Sequence, residues 1–105
     1  MIYTIEELRQ KITPIAKKYE IPAVYVFGSY ARGRADNNSD IDILIKREGS
    51  KIRGLLLGGL YEDLQETLGK NLDILTVESL EQHNIPLENP AFFETLIKER
   101  VKIYG

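Results

Sequence analysis

The sequence predicts an α+β fold, a mixed β-sheet packed against helices, in a single domain over residues 1–105. Three observations point there. Apolar residues recur at helical spacing in two long segments, Ile5 to Tyr19 and Ile52 to Leu68. Short runs rich in β-branched and aromatic residues lie between and after them, at 23–27, 40–45, 72–76 and 101–104. A length of 105 residues leaves room for one core and not for two.

Thr4, with Glu7 three residues on, reads as a capping box that opens the first helix. Ile5, Leu8, Ile12, Ile15 and Ala16 form its apolar face, and Glu6, Glu7, Lys11, Lys17 and Lys18 stay outside. Pro14 falls within this pattern and predicts a kink or an interruption. After Ile21-Pro22, the strand Ala23–Phe27 delivers Gly28-Ser29 at its carboxyl end, and a helical turn is expected from Tyr30 to Arg34. The loop Gly-Arg-Ala-Asp-Asn-Asn-Ser at 33–39 is dense in turn formers, and Asp36, Asn37 and Asn38 read as a connection.

The next strand carries Asp40 and Asp42 with Ile41, Ile43 and Ile45, and Lys46 to Lys51 follows as a charged turn. In the second long helix Leu57, Leu60, Tyr61, Leu64 and Leu68 keep helical spacing. Gly54, Gly58 and Gly59 sit oddly there, each costing about 1 kcal/mol against alanine. Two readings stay open. Either the helix start is loosely formed and firms near Gly59, or another backbone approaches closely, with Leu55 and Leu56 as extra apolar contacts.

Gly69 stands just past the helix end. Leu72 to Thr76 is a strand with Leu72 and Ile74 on one face and Asp73 on the other. Glu78 to His83 reads as a short helix, with His83 a surface residue. Asn89-Pro90 reads as an N-cap and a first helical proline. The helix they open, Ala91 to Glu99, carries Phe92, Phe93, Leu96 and Ile97. Val101 to Tyr104 alternates as a short edge strand.

Composition excludes several classes. With no cysteine and one histidine, thiolate metal sites and disulfides are ruled out and zinc is unsupported. No run approaches the roughly 20 apolar residues of a membrane span, and the start Met-Ile-Tyr-Thr-Ile-Glu-Glu lacks a signal peptide's regions, so a cytoplasmic protein without membrane contact is expected. A net charge of −2 argues against gripping a nucleic-acid backbone over a long footprint.

The chemistry concentrates between Val26 and Ile45. Alternation puts Asp40 and Asp42 on one face of a strand, with Cα atoms roughly 6.6 Å apart, and Ile41, Ile43 and Ile45 on the other. Their carboxylates can converge on one hard cation, or on two about 4 Å apart. Like charges on a partly buried face are costly, and a divalent metal offsets that cost. Gly28 lets the backbone come close to a ligand, and Ser29 adds a hydroxyl where free amides favour phosphate. Arg32 can bind triphosphate oxygens. Strand, phosphate-holding turn, loop and metal-holding strand describe a site for a metal-bound nucleoside triphosphate.

Gly28-Ser29-Tyr30-Ala31-Arg32-Gly33 followed by Ser39-Asp40-Ile41-Asp42-Ile43-Leu44 resembles the signature of the nucleotidyltransferase superfamily with the DNA polymerase β-type palm. It is most similar to the minimal nucleotidyltransferase (MNT) branch, commonly paired with helical HEPN partners. The resemblance spans about the whole chain. It implies a palm-like mixed sheet and places the third catalytic carboxylate at Asp73. It implies that Asp40, Asp42 and Asp73 are catalytic and metal-binding, and that Gly28, Ser29, Arg32 and Ser39 bind nucleotide. Two Mg²⁺ ions and ATP as substrate follow. AMP would be transferred to a hydroxyl, a tyrosine of a HEPN toxin, by an antitoxin that works within a hetero-oligomer. Two alternatives stand beside this: a non-catalytic antitoxin acting by contact, and a small-molecule nucleotidyltransferase completed by a separate helical subunit. The intact Asp40, Asp42 and Asp73 speak against an idle site.

Overall fold

A computed structural model of the chain describes residues 2–82 and 98–105. The capping box forms: the Thr4 amide donates to Glu7 Oε1 at 2.9 Å and the Glu7 amide to Thr4 Oγ1 at 3.0 Å. It opens α1, Ile5–Lys18. Acidic Glu6 and Glu7 lie in the first turn and basic Lys17 and Lys18 in the last, in accord with the helix dipole. Pro14 lies inside α1, and the helix continues through it rather than being interrupted. The carbonyl that Pro14 orphans belongs to exposed Gln10, where water can satisfy it. Ile12, Ile15 and Ala16, buried on either side of Pro14, hold both halves to the core.

Four strands follow: β1 Ala23–Phe27, β2 Ile41–Lys46, β3 Leu72–Thr76 and β4 Val101–Tyr104. They form one sheet in the order β3-β2-β1-β4. β1 runs antiparallel to β2 and to β4, whereas β2 and β3 are parallel. The sheet is mixed, as expected, and β4 lies at its edge. A parallel pair needs a crossover, and α3, Leu56–Leu68, provides it. The short helices α2, Gly28–Ala31, and α4, Val77–Gln82, cap strand ends.

Alternation along the strands sorts the two faces. Val24, Val26, Ile41, Ile43 and Ile45 join Leu8, Ile12 and Ala16 of α1 and Leu60, Leu64 and Leu68 of α3 in the main core. Tyr3 is buried with them, and its hydroxyl donates to the Leu68 carbonyl at 2.6 Å. On the other face Leu44 gathers Tyr25, Phe27, Leu75 and Val77 into a smaller cluster. Asp42 shares that second face.

Helix α3 begins at Leu56, later than the expected Ile52 and earlier than Gly59. Gly54 has φ 53°, a left-handed conformation that no α-helix continues through, so buried Ile52 packs ahead of the helix. At the other end Gly69, φ 65°, closes α3 in the expected way. His83, the Asn89-Pro90 cap and the helix expected from Ala91, up to residue 97, lie outside the described residues. Among the described residues, no helix is long and apolar enough to cross a membrane.

Candidate active site

Strand register builds the site. Phe27, the last residue of β1, pairs with Asp42, and Asp42 pairs with Asp73 across the parallel ladder. The residue after Phe27 is Gly28, with φ 70°. A Cβ atom built on Gly28 would run into the Asp42 carboxylate oxygen Oδ2. Glycine is therefore required twice, by the backbone conformation and by the acid beside it. The close approach expected of Gly28 was to a ligand; the one seen here is to the Asp42 carboxylate.

Asp42 is half-buried while Asp73 is exposed. Burial raises the Asp42 carboxyl from 3.8 to about 6, the charges of Asp73 and Asp40 push the same way, and Arg32 opposes them. The structure thus brings Asp42 and Asp73 together, with Asp40 close enough for its charge to be felt. Strand alternation would have Asp40 converge with Asp42. Asp40 precedes the first ladder residue, Ile41, whose amide bonds to the Asn71 carbonyl at 3.1 Å; its side chain is exposed and its charge reaches Asp42. Among the described residues, no three acidic or histidine side chains stand ready-made around one ion. The donor set is nonetheless all hard oxygen, the kind Mg²⁺ takes. The raised carboxyl of Asp42 marks a cost of burial first and of like charge second, both of which a divalent cation offsets.

The helical turn lies at Gly28–Ala31 rather than Tyr30–Arg34. The left-handed Gly28 bends the chain as soon as β1 ends, so Gly28 and half-buried Ser29 fall inside the turn. Amides of Arg32 and Arg34 close it on the carbonyls of Gly28 and Ser29, at 3.1 and 2.9 Å. Arg32 is about half exposed and pairs with Glu99 at 3.0 Å while still acting on Asp42.

Ser39 belongs to the loop before β2. Its hydroxyl accepts from the Asp36 amide at 2.9 Å and donates to Asp36 Oδ1 at 3.2 Å, while the Asn38 amide also donates to that oxygen at 2.9 Å. Asp36, read from the sequence as mere connection, organises this loop. Lys70 ties the loop down: its Nζ reaches the Asn37 carbonyl at 3.2 Å and the Ser39 carbonyl at 3.5 Å, and lies 5.8 Å from the Tyr30 ring centre. Asp36 had a readable signal, a serine three residues on. Lys70 had a faint one, a lysine just past a helix end. Glu99 had none, because 67 positions of sequence separate it from Arg32. Between this loop and the Gly69–Asn71 turn opens a cavity of about 510 Å³, with Asp40, Gln65 and Lys70 on its wall.

Comparison with known proteins fits this geometry. The family described as "Polymerase beta, Nucleotidyltransferase" matches residues 10–104. A protein of Methanocaldococcus jannaschii that carries the name "Putative protein adenylyltransferase MJ0435" is 42% identical over 100 residues, covering 94% of this chain and 97% of its own. A crystal structure of a toxin–antitoxin with AMP-PNP aligns with a TM-score of 0.68 at 20% identity, over 92% of this chain and 73% of that one. A rebuilt structure of a tri-AMPylated Shewanella oneidensis HEPN toxin in complex with MNT antitoxin gives 0.65 at 16%, over 97% and 73%. At those identities the structures speak for the fold. The family match runs unbroken through β1, β2 and β3, which carry Gly28, Asp42 and Asp73, and so the chain belongs to the polymerase β nucleotidyltransferase family and is a nucleotidyltransferase.

Proposed function

We propose that this chain transfers AMP from ATP to the hydroxyl of a tyrosine on a HEPN-type toxin with which it assembles, and so acts as its antitoxin. The observation that carries the site is the register Phe27–Asp42–Asp73, with Gly28 left bare beside the Asp42 carboxylate. Two acids on neighbouring strands, one half-buried and raised to about 6, weaken a fold with no cation to bind. The adenylyl donor and the protein acceptor are supported by the M. jannaschii relative's name. The toxin partner is supported by the complexes whose fold this chain shares.

Asp42 and Asp73, together with Asp40, would hold Mg²⁺. Bound there, the ions supply neutralisation of the triphosphate and acidity at the attacking hydroxyl. The chain's own residues do the rest. Gly28 and Ser29 seat the terminal phosphates in the turn after β1, and Arg32 adds a guanidinium to their oxygens. Ser39, held by Asp36, fixes the loop that delivers Asp40. The acceptor oxygen attacks the α-phosphorus, the bond from that phosphorus to the bridging oxygen of the β-phosphate breaks, and pyrophosphate leaves. The hydroxyl proton passes to a carboxylate oxygen of Asp73.

The test is the intact mass of the partner after incubation with ATP and Mg²⁺, with an Asp40→Asn/Asp42→Asn double variant as control. A gain of one or more AMP units, absent in the control, is expected. A stable complex that silences the toxin with no gain in mass would replace transfer by neutralisation through contact.

A further inference from the structure

The amino end of α3 carries a surface that the active site does not use. The carboxyl end of α3 borders the site through Gly69 and Lys70, and 13 helical residues place the amino end about 20 Å away. Three consecutive leucines stand in solvent there: Leu55 is 95% exposed, Leu56 46% and Leu57 42%. Gly58 follows, inside the helix. It has no positive φ, and among the described residues nothing lies within 4 Å of where its Cβ would be. Neither strain nor crowding asks for glycine, though glycine weakens the helix relative to alanine.

Charge supplies the second observation. Unlike α1, α3 has no acidic residue in its first turn and no basic one in its last. Lys51 and Arg53 precede its amino end, and Glu62, Asp63 and Glu66 fill its second half. The order runs against the helix dipole. Asp63 is taken by Lys18 at 2.9 Å and by the Tyr19 hydroxyl at 2.7 Å, and Lys51 pairs with Glu20 at 3.3 Å on the open surface. Arg53, Glu62 and Glu66 remain exposed.

We propose that this face docks a second copy of the chain, the two α3 helices crossing antiparallel midway between Leu55 and Gly58. A twofold axis there sets the basic end of each helix beside the acidic half of the other, which a parallel crossing would not do. Leu55, Gly58, Glu62 and Glu66 follow one another along one stripe. Each Leu55 seats in the space over the other copy's Gly58, where the missing side chain lets the backbones approach. The contact is self-complementary, as a twofold interface must be. Its apolar part, roughly 300 Å² per copy, falls short of the roughly 800 Å² per partner of a standard interface, so the dimer is weak and reversible. Both active sites stay open at the far ends.

Sedimentation velocity of the full chain over a concentration series tests this. A monomer–dimer equilibrium is expected, weakened at least tenfold by Leu55→Glu with an unchanged thermal melt. Gly58→Ala separates the interface from the fold, since it should raise thermal stability while loosening the dimer. Arg53→Glu should also loosen it, and Arg53→Glu with Glu62→Arg should restore it. A monomer at every concentration overturns the proposal, as does a dimer indifferent to Leu55→Glu or a charge reversal that rescues nothing. A monomer whose Leu55→Glu variant instead loses a different protein partner overturns the second copy as occupant.

Discussion

Replacing Asp42 by asparagine is expected to stabilise the metal-free chain while abolishing transfer. Burial first, then Asp73 and Asp40, raises this carboxyl from 3.8 to about 6 in the folded state. Below 3.8 the acid is protonated in both states and carries no penalty. As pH rises toward 6 the unfolded chain releases its proton first, so stability falls; above 6 the loss is complete. A shift of that size corresponds to about 3 kcal/mol if taken in full. Asp42 is only half-buried, and solvent and salt screen its neighbours, which brings the figure to about 1–2 kcal/mol. Urea unfolding with EDTA, at about pH 7.5 and about pH 4, measures it. The asparagine variant should exceed the parent by that amount at the higher pH and by much less at the lower. Millimolar Mg²⁺ should stabilise the parent and not the variant. A variant less stable at the higher pH, or equally favoured at both, would refute the account of Asp42 as an acid held at a cost.

Gly28→Ala should lose transfer and between about 1 and 3 kcal/mol of stability, because its side chain meets both a left-handed backbone and the Asp42 carboxylate. Gly33→Ala is the control: the same left-handed φ, 71°, but nothing among the described residues within 4 Å of the added carbon, so stability falls and transfer survives; equal activity in the two variants would show that the Asp42 contact is incidental. Lys70→Met should leave urea stability within about 1 kcal/mol yet slow transfer about tenfold, by releasing the carbonyls of Asn37 and Ser39 that lead into Asp40. Unchanged steady-state kinetics would separate that loop from the reaction.

The fold was legible where local chemistry decides. Thr4 and Glu7 cap α1 as their spacing dictates, and the isoleucines of β2 face the core because alternation leaves them no other place. Of the two outcomes expected at Pro14, a kink or an interruption, the interruption does not occur, because tertiary burial of Ile12, Ile15 and Ala16 outweighs the local tendency to break. The start of α3 misled for the opposite reason. Apolar spacing extends back to Ile52, but one left-handed glycine at 54 ends the helix before the pattern does.

The acids of the candidate site stand out in the sequence, but their arrangement does not. Asp42 and Asp73 lie 31 positions apart in sequence, and nothing local to either says that they share a rung; parallel pairing of β2 with β3 decides it. Alternation separates Asp42 from Ile41 and Ile43, and Asp40 stands just outside the stretch where the ladder enforces it. The rule holds only for residues the ladder grips, and the ladder begins one residue later. That difference bears on the chemistry. Asp42 is fixed by hydrogen bonds on both sides of its strand, pressed against Gly28, and already bears the cost of its charge. Asp40 hangs from a loop held by Asp36, Ser39 and Lys70. On the proposed reading the nucleotide's cation meets one acid held by the ladder, Asp42, and one carried by a loop, Asp40. The Asp36–Ser39–Lys70 network then decides how well that loop presents Asp40. Loosening the loop should therefore slow the reaction without unfolding the chain.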